Sequence, residues 1–416
     1  MKLRLLPSAL SLLVLLLAAQ GCPLQGDDDD DDHFLDVITS DERPSKRSEV
    51  ISVADESSGT MLMFGGNEAA IVSQIPGATY LDETWVFEPG VGWDEVTDSG
   101  PHARGRHTAA LDSENGRALV FGGRYRPEGQ SGAYQLFDDL WAFDFTERRW
   151  TQLDDGSGPG PAARYYAQAA WSPTAGAFYV YGGLTNSDPL AFQRSSELWR
   201  WTESEGWEEV DTSGDAPSPR AFYGTTYDAK RDRMLLFAGQ VGDFQSLAYN
   251  DLFELDLSTG EWDELHGGGV SAPFTRMHPH LQYDSSRDRL ILFGGHTDLG
   301  DDNDVWAFPQ GGDDWVLINE ADRFTGVGVG CLNNSTEVPA DYVEIDLSAP
   351  ERRQKAFVTL MHDNLWVFGG MHAECSEHLD DTWRFDLESG SWQELIEART
   401  GESCARRGDD CECLCL

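Results

Sequence analysis

The 416-residue sequence contains few basic side chains, with 30 lysines and arginines against 73 aspartates and glutamates. The resulting net charge of −43 repels phosphate backbones and anionic lipid surfaces over most of the exterior. Nucleic acid is therefore excluded as an expected partner. The chain also contains no Gly-x-Ser-x-Gly segment, so it lacks the local signature of a serine-nucleophile elbow.

Long apolar runs are equally scarce, and the one near the N-terminus, Leu10 to Ala19, is too short to span a bilayer. It follows Lys2 and Arg4, which is the order of a secretory signal over residues 1–21. The next stretch, Ala19-Gln20-Gly21-Cys22, resembles a bacterial lipobox with alanine in place of the usual leucine. This resemblance implies cleavage before Cys22 and lipidation of its thiol, whereas a plain signal with an incidental cysteine is the alternative.

We therefore expect an exported protein that is lipid-anchored in the bacterial cell envelope and touches the membrane only through the lipid. Six consecutive aspartates, Asp27 to Asp32, follow the proposed anchor. Such a block repels itself and stays extended, so residues 22–46 are predicted to be an acidic tether. A calcium site is a weaker interpretation, because a flexible run lacks the fixed spacing of calcium ligands.

Cysteine is absent between Cys22 and Cys331. The remaining cysteines are Cys375 and four in the C-terminal tail, residues 398–416: Cys404, Cys411, Cys413 and Cys415. In an exported protein a disulfide between Cys331 and Cys375 is the simplest use of that pair. A zinc or copper site formed with His372 and His378 is the alternative, and we expect no metal. The tail cysteines are compatible with disulfides, a metal or an intermolecular link.

Glycine, in contrast, is abundant and recurs in doublets at the ends of apolar segments. The second glycine of each doublet is Gly66, Gly123, Gly183, Gly239, Gly295 or Gly370, and Ala238 replaces the first glycine of the fourth copy. Two aromatic residues follow each doublet: Trp85 and Trp93, Trp141 and Trp150, Trp199 and Trp207, Phe253 and Trp262, Trp306 and Trp315, and Trp383 and Trp392. An arginine lies 17 residues before the aromatic that precedes each of the first five doublets, and Arg352 and Arg353 lie close to that position in the sixth copy.

The pattern of short apolar segments and turn residues in each repeat predicts four short strands. The chain is therefore expected to be all-β, with six repeated blades. The doublet, the two spaced aromatics and the preceding arginine resemble kelch repeats over about residues 47–397. The resemblance implies a six-bladed kelch-type β-propeller with four antiparallel strands per blade. The predicted blades are about 47–98, 104–155, 164–212, 220–266, 276–319 and 351–397, with an insertion at about 320–346.

The glycines are expected to be structural, because no Lys-Ser/Thr pair follows them as it would in a phosphate-binding loop. We expect the second strand to lie near the propeller axis, where only a residue without Cβ fits. Residues 34–39 resemble one more fourth strand. They either seal the ring beside the sixth blade or lie on the outer edge, and we favour the outer edge because Trp392 to Leu395 completes the sixth blade.

The arginines are predicted to lie on the same face as the loops that follow the glycines. The candidate ligand-binding residues are Arg47, Arg104, Arg164, Arg220, Arg276, Arg353, His278 and His280. A ring of guanidinium groups would focus positive potential and suit a carboxylate, an acidic peptide or a sugar. The alternative is that each arginine pairs with an acid before the third strand, such as Asp138, Asp251 or Asp304, and only holds the blades together.

The resemblance implies that this face binds a ligand. We therefore expect a monomeric binding module that needs no cofactor. Its partner would be a protein or glycan, with an anionic one favoured. Kelch-type propellers also include copper radical oxidases, which need a cysteine crosslinked to tyrosine, and a sialic acid mutarotase. The first five blades contain no cysteine. An enzyme acting on acidic sugars through His278, His280, Arg220 and Arg276 is therefore the second hypothesis.

Overall fold

Six sheets, each with four antiparallel main strands, follow one another along the chain and form the six blades of a β-propeller, as the repeats predict. The computed structural model describes residues 38, 40, 42–68, 79–188, 192–241, 248–324, 343–344, 346–372 and 377–399. Among these residues we find no helix with the length and apolar character needed to cross a membrane.

Every blade consists of an inner, a second, a third and an outer strand, in the order of the chain. The inner strands are Ile51–Asp55, Thr108–Asp112, Gln168–Ser172, Gly224–Asp228, His280–Asp284 and Phe357–Met361. The second strands are Thr60–Phe64, Arg117–Phe121, Ala177–Tyr181, Arg233–Phe237, Arg289–Thr297 and Asn364–Phe368. The third strands are Thr84–Glu88, Leu140–Asp144, Leu198–Thr202, Leu252–Asp256, Gly300–Pro309 and Thr382–Asp386. The outer strands are Gly92–Val96, Arg149–Asp154, Gly206–Val210, Glu261–His266, Val316–Asn319 and Ser391–Ile396.

Short two-residue strands extend the blades into their loops. Antiparallel pairs join Arg124–Tyr125 to Gln135–Leu136, Arg323–Phe324 to Val343–Glu344, and Met371–His372 to Glu377–His378. Arg276–Met277 pairs with the end of the second strand of the fifth blade, and Ser213–Gly214 runs parallel to the outer strand of the fourth blade.

The position of each strand in its blade explains its composition. A second strand such as Thr60–Phe64 is buried at every residue, because neighbouring blades cover both faces of the sheet. An outer strand such as Gly92–Val96 buries its tryptophan and exposes the acidic residues after it. The inner strands of adjacent blades contact one another around the axis, so the inner strand, and not the second, lines the channel. The expectation of an axial second strand is therefore wrong.

The glycine doublets lie where one blade approaches the next, as expected. A Cβ on Gly122 would lie 2.7 Å from the carbonyl oxygen of Arg164 in the following blade, and both glycines of this doublet have positive φ. The second glycine also donates its N–H to the backbone carbonyl oxygen of the arginine in the following blade, as Gly123 does to Arg164 O at 2.8 Å. The doublets are thus packing devices between blades.

Closure of the ring uses the same contacts as the other interfaces. The second aromatic of each blade packs on the aromatic before the doublet of the preceding blade, as Trp150 does on Phe64 with ring centroids 5.0 Å apart. Trp93 of the first blade packs in the same way on Phe368 of the sixth blade, at 4.8 Å. Of the extra segment 34–39, only Ile38 is described, and it packs against the apolar core that the first and sixth blades share.

A valine in the doublet should test this packing role. Gly294→Val would place a Cβ 2.9 Å from the carbonyl oxygen of Arg353 at a φ of +60°. Gly116 has the same φ but has no atom within 4 Å of an added Cβ, so Gly116→Val isolates the backbone strain of about 1–3 kcal/mol. We expect Gly294→Val to lower the free energy of unfolding by clearly more than the control in chemical denaturation. Equal losses in the two variants would show that the interface has room for a side chain.

Candidate functional site

The six arginines at the start of the blades are buried and hold each blade together. Arg276 illustrates the pattern: Nε donates to Phe274 O at 3.0 Å, Nη1 to Gly294 O at 2.9 Å, and Nη1 and Nη2 to the two oxygens of Asp304 at 2.7 and 2.9 Å. The six ion pairs are Arg47–Glu83, Arg104–Asp139, Arg164–Glu197, Arg220–Asp251, Arg276–Asp304 and Arg353–Asp381.

These contacts favour the alternative in which each arginine pairs with an acid before the third strand and holds the blades together. All six arginines are at most 4% exposed, so the expected ring of free guanidinium groups is not presented to a ligand. In the second blade the partner is Asp139 and not Asp138, and Arg353 takes the arginine position in the sixth blade. A ligand-binding role for these six residues has no support from their contacts.

The same carboxylates explain the first aromatic of each repeat. The indole Nε1–H of Trp383 donates to Asp381 at 2.8 Å, and that of Trp141 donates to Asp139 at the same distance. In the fourth blade Phe253 replaces the tryptophan, and Arg220 instead lies 5.6 Å from the centre of its ring. The arginine, the carboxylate and the tryptophan therefore form one unit that satisfies most of its buried hydrogen-bonding groups.

A second ring of residues lies two positions after the arginines and closer to the axis. This axial ring consists of Glu49, Arg106, Tyr166, Phe222, His278 and Lys355, all of which have φ between 53° and 66°. Backbone hydrogen bonds link its members from blade to blade: Glu49 N donates to Lys355 O, Arg106 N to Glu49 O, Tyr166 N to Arg106 O, and His278 N to Phe222 O, at 2.7–3.0 Å. The backbone conformation repeats, whereas the six side chains all differ.

One half of the axial ring is charged. Glu49 is buried and pairs with Arg106, and Arg124 Nη2 approaches the same carboxylate at 3.5 Å. Burial alone would raise the pKa of Glu49, but the positive charges of Arg106, Arg124 and Lys355 outweigh it and hold the pKa below its usual value. Lys355 completes this half. Burial and the nearby Arg106 lower the pKa of Lys355 to about 7.

The other half is aromatic. Phe222 packs edge-on against Tyr166 with centroids 4.8 Å apart, and His278 lies 4.8 Å from Phe222 and 5.1 Å from Tyr166. Burial, reinforced by Lys355, holds the pKa of His278 well below its usual value, so the imidazole is neutral at physiological pH. Arg106 lies over Tyr166 at 4.4 Å and joins the two halves.

A cavity of about 660 Å³ runs along the propeller axis, and all six side chains of the axial ring line it. Its wall is formed by the inner strands, which contribute small or polar residues such as Ala109, Ala169, Thr225 and Gln282. It extends to the turns after the inner strands, including Ser57 and Ser286. This volume suits a small molecule.

Basic and aromatic side chains also gather in the loops after the doublets, on the face that carries the arginines. We call Tyr80, Arg124, Tyr125, Arg126 and Tyr134 the loop-face cluster. Tyr134 lies between two guanidinium groups, 4.0 Å from Arg124 and 4.7 Å from Arg126. The hydroxyl groups of Tyr80 and Tyr134 are buried and have no hydrogen-bond partner among the described residues. In the next blade, Phe192 and Arg194 are half-buried.

The remaining candidates lie apart from this cluster. His280 lines the cavity, where its Nε2 accepts the N–H of Ala356 at 3.2 Å, and burial lowers its pKa to about 4. All seven cysteines, including Cys22, Cys331 and Cys375, lie outside the described residues. Within the described ranges, no group of three or more histidine, cysteine or acidic side chains is arranged to hold a metal ion.

Of the six axial-ring residues, only His278 is among the candidates predicted from the sequence, and the other five were missed. A usable signal was present, because each of them lies two residues after an arginine of the repeat. The residues of the loop-face cluster have no fixed spacing from a repeated residue. They come from loops of unequal length, and only the fold brings them together.

Comparison with known proteins agrees with the blade architecture. The KLHDC2/KLHL20/DRC7 Kelch-repeats domain model matches residues 30–188 and 172–325, and the Kelch motif model matches residues 352–395. Kelch domain-containing protein 2 of Bos taurus is 26% identical over 303 residues, covering 66% of this chain and 70% of that protein. Kelch domain-containing protein 3 of Bos taurus is 24% identical over 335 residues, covering 78% and 77%.

Tip elongation aberrant protein 1 of Schizosaccharomyces pombe is 29% identical over 223 residues. That match covers 52% of this chain but only 18% of the relative. This chain therefore corresponds to a small part of some of the proteins it resembles.

Removing one arginine of the repeat should destabilise the protein strongly. In Arg276→Ala the carboxylate of Asp304 would remain buried without its partner, which costs about 3–5 kcal/mol. Arg149 is the control, because its ion pair with Glu147 is exposed on both sides, and Arg149→Ala should cost about 0.5 kcal/mol or less. Equilibrium unfolding of both variants checks this. Equal effects would mean that Arg276 does not support the blade.

Proposed function

Because the chain belongs to the Kelch-repeat family of β-propellers, we propose that it is a binding module that recognises a protein or glycan partner through its loop-bearing face. The partner is expected to present an anionic group. The proposal rests on one contrast between recurring and varied positions on this face. The arginines that recur in every blade are buried in ion pairs within their own blade, whereas the half-buried Tyr125, Phe192 and Arg194 lie at positions that differ from blade to blade.

Two buried arginines of the loop-face cluster add positive charge to this face. Arg124 and Arg126 lie against Tyr134, and combinations of arginine and tyrosine are enriched in the energetically dominant parts of interfaces. Over the whole chain the net charge is −43, so a local gathering of cations would also direct an anionic partner to this face.

We propose no enzymatic activity for the residues considered at first. Arg220 and Arg276 are held by Asp251 and Asp304, and His280 is engaged by the backbone of Ala356. His278 and His280 line the axial cavity but Arg220 and Arg276 do not, so these four candidates do not converge on one reacting position.

An array of acidic and neutral glycans and peptides, probed with the purified protein, tests the binding function. Tyr125 and Phe192 are half-buried aromatic residues of the loop face, and replacing both with alanine should weaken binding to any positive ligand at least tenfold. Val316→Ala is the control, because this residue is 53% exposed on an outer strand. Binding should also weaken as salt is raised. Equal affinity of the double variant and wild type would place the binding surface elsewhere.

We also propose that the protein is exported and anchored by lipid on Cys22, which the signal-like N-terminus and the acidic tether support. Cys22→Ser should move the protein from the membrane fraction to the soluble fraction after cell fractionation. An unchanged membrane fraction would contradict the lipid anchor and leave the binding function untouched.

A further inference from the structure

The axial cavity carries chemistry that binding through the loop face does not use. Lys355 lines the cavity at the axial ring, and its ammonium group has no carboxylate within ion-pair distance among the described residues. Its only polar side-chain contact described is with Met371 Sδ at 3.6 Å. A half-buried cation without a partner is costly, and an anion in the cavity would supply the missing charge.

The charges that face Lys355 leave one positive charge uncompensated. The charged groups around it are Arg106 and Glu49 on the axial ring, Arg124 behind them, and Asp301 of the fifth blade. Glu49 is already shared by Arg106 and Arg124, and Asp301 accepts from Gln354 and lies 2.7 Å from His296. His278 and His378 also face Lys355, and burial lowers the pKa of both. A single excess charge fits a carboxylate better than a phosphate dianion.

The aromatic half of the axial ring lies against the same cavity. Tyr166, Phe222 and His278 pack on one another and present ring faces and edges with few hydrogen-bonding groups. A sugar would leave many hydroxyl groups unpaired there, whereas a planar apolar ring would add to the existing aromatic packing. The cavity wall beside it is lined by small residues such as Ala109 and Ala169, which leave space for such a ring.

We propose that the axial channel is a separate binding site for a small aromatic carboxylate. Its carboxylate contacts Lys355 and Arg106, and its ring packs on Tyr166, Phe222 and His278. This site is distinct from the loop-face cluster, because its residues line the axial cavity and those of the cluster do not.

Calorimetric titration of the full-length protein with three matched probes tests the chemistry. Phenylacetate carries both features, phenylacetamide lacks the charge, and cyclohexylacetate lacks the aromatic ring. We expect phenylacetate to bind, phenylacetamide to bind at least tenfold more weakly, and cyclohexylacetate to bind several-fold more weakly. Failure of phenylacetate to bind at millimolar concentration, or equal affinities for the acid and the amide, would overturn the proposal.

Variants of Lys355 test the site. The lysine is charged below its pKa of about 7 and neutral above it, so the affinity of the wild type for phenylacetate should fall more than tenfold between about pH 6 and pH 8.5. Lys355→Arg should remove this pH dependence, because arginine stays protonated. Lys355→Gln should bind weakly at both pH values, and the control Lys230→Gln, at an exposed turn position, should match the wild type.

Two results separate this proposal from the loop-face function. The single variant Tyr125→Ala should keep wild-type affinity for phenylacetate, and Lys355→Gln should keep binding to loop-face ligands. Phe192 is left unchanged in this comparison, because it packs on Phe222 of the axial ring. The melting temperature of Lys355→Gln shows whether this variant is folded. If it is folded and still binds phenylacetate with wild-type affinity, the channel site is contradicted and the loop-face function is not.

Discussion

The propeller depends on the buried arginine at the start of each blade, because this residue joins two blades. Its backbone belongs to the interface with the preceding blade: Arg104 N donates to Leu81 O at 3.1 Å, and Arg104 O accepts the N–H of Gly66 at 2.9 Å. Its side chain belongs to its own blade, where it binds Asp139 and the carbonyl of Gly122. Arg47 makes the same contacts with Leu379 and Gly370 of the sixth blade and so closes the ring.

This arrangement explains why the repeat needs its particular residue types. Burying a guanidinium is favourable only when its donors are satisfied, and the carboxylate, the glycine carbonyl and a carbonyl two residues upstream provide the acceptors. Glycine is favoured because the arginine of the next blade approaches where a Cβ would lie, and only the fourth copy has another residue, Ala238, at the first doublet position. The tryptophan after the carboxylate fills its remaining acceptor position. Arginine, glycine, acid and tryptophan are thus parts of one contact.

The sequence predicted the blades, the number of strands and the structural role of the glycines, because all of these depend on residues that recur at fixed spacing. The expectation that the second strand lies at the axis was wrong. Apolar content distinguishes a fully buried second strand from an exposed outer strand, but it does not show which strand faces the channel. It named Asp138 where Asp139 is the partner, because two adjacent acids differ only in the direction of their side chains.

The candidate sites were harder to predict for a related reason. Residues that serve recognition vary from blade to blade, so a search for repetition passes over them. Glu49, Arg106 and Lys355 are unrelated in type and far apart in sequence, and only closure of the ring brings them together. The same backbone position thus holds a charged group in three blades and an aromatic ring in the other three. A repeated scaffold with varied axial positions provides an asymmetric site within a nearly symmetric fold.

The central claim is that recurring positions hold the fold while varied positions are free for recognition. Arg353 and Lys355 test it most directly, because they are two residues apart in the same blade and both are cationic. Thermal unfolding of Arg353→Gln and Lys355→Gln should differ sharply. We expect the melting temperature of Arg353→Gln to be lowered by several degrees, because Asp381 is left without its partner. That of Lys355→Gln should be unchanged or higher, because the substitution removes a half-buried charge that has no ion-pair partner among the described residues. Similar losses in both variants would contradict the account.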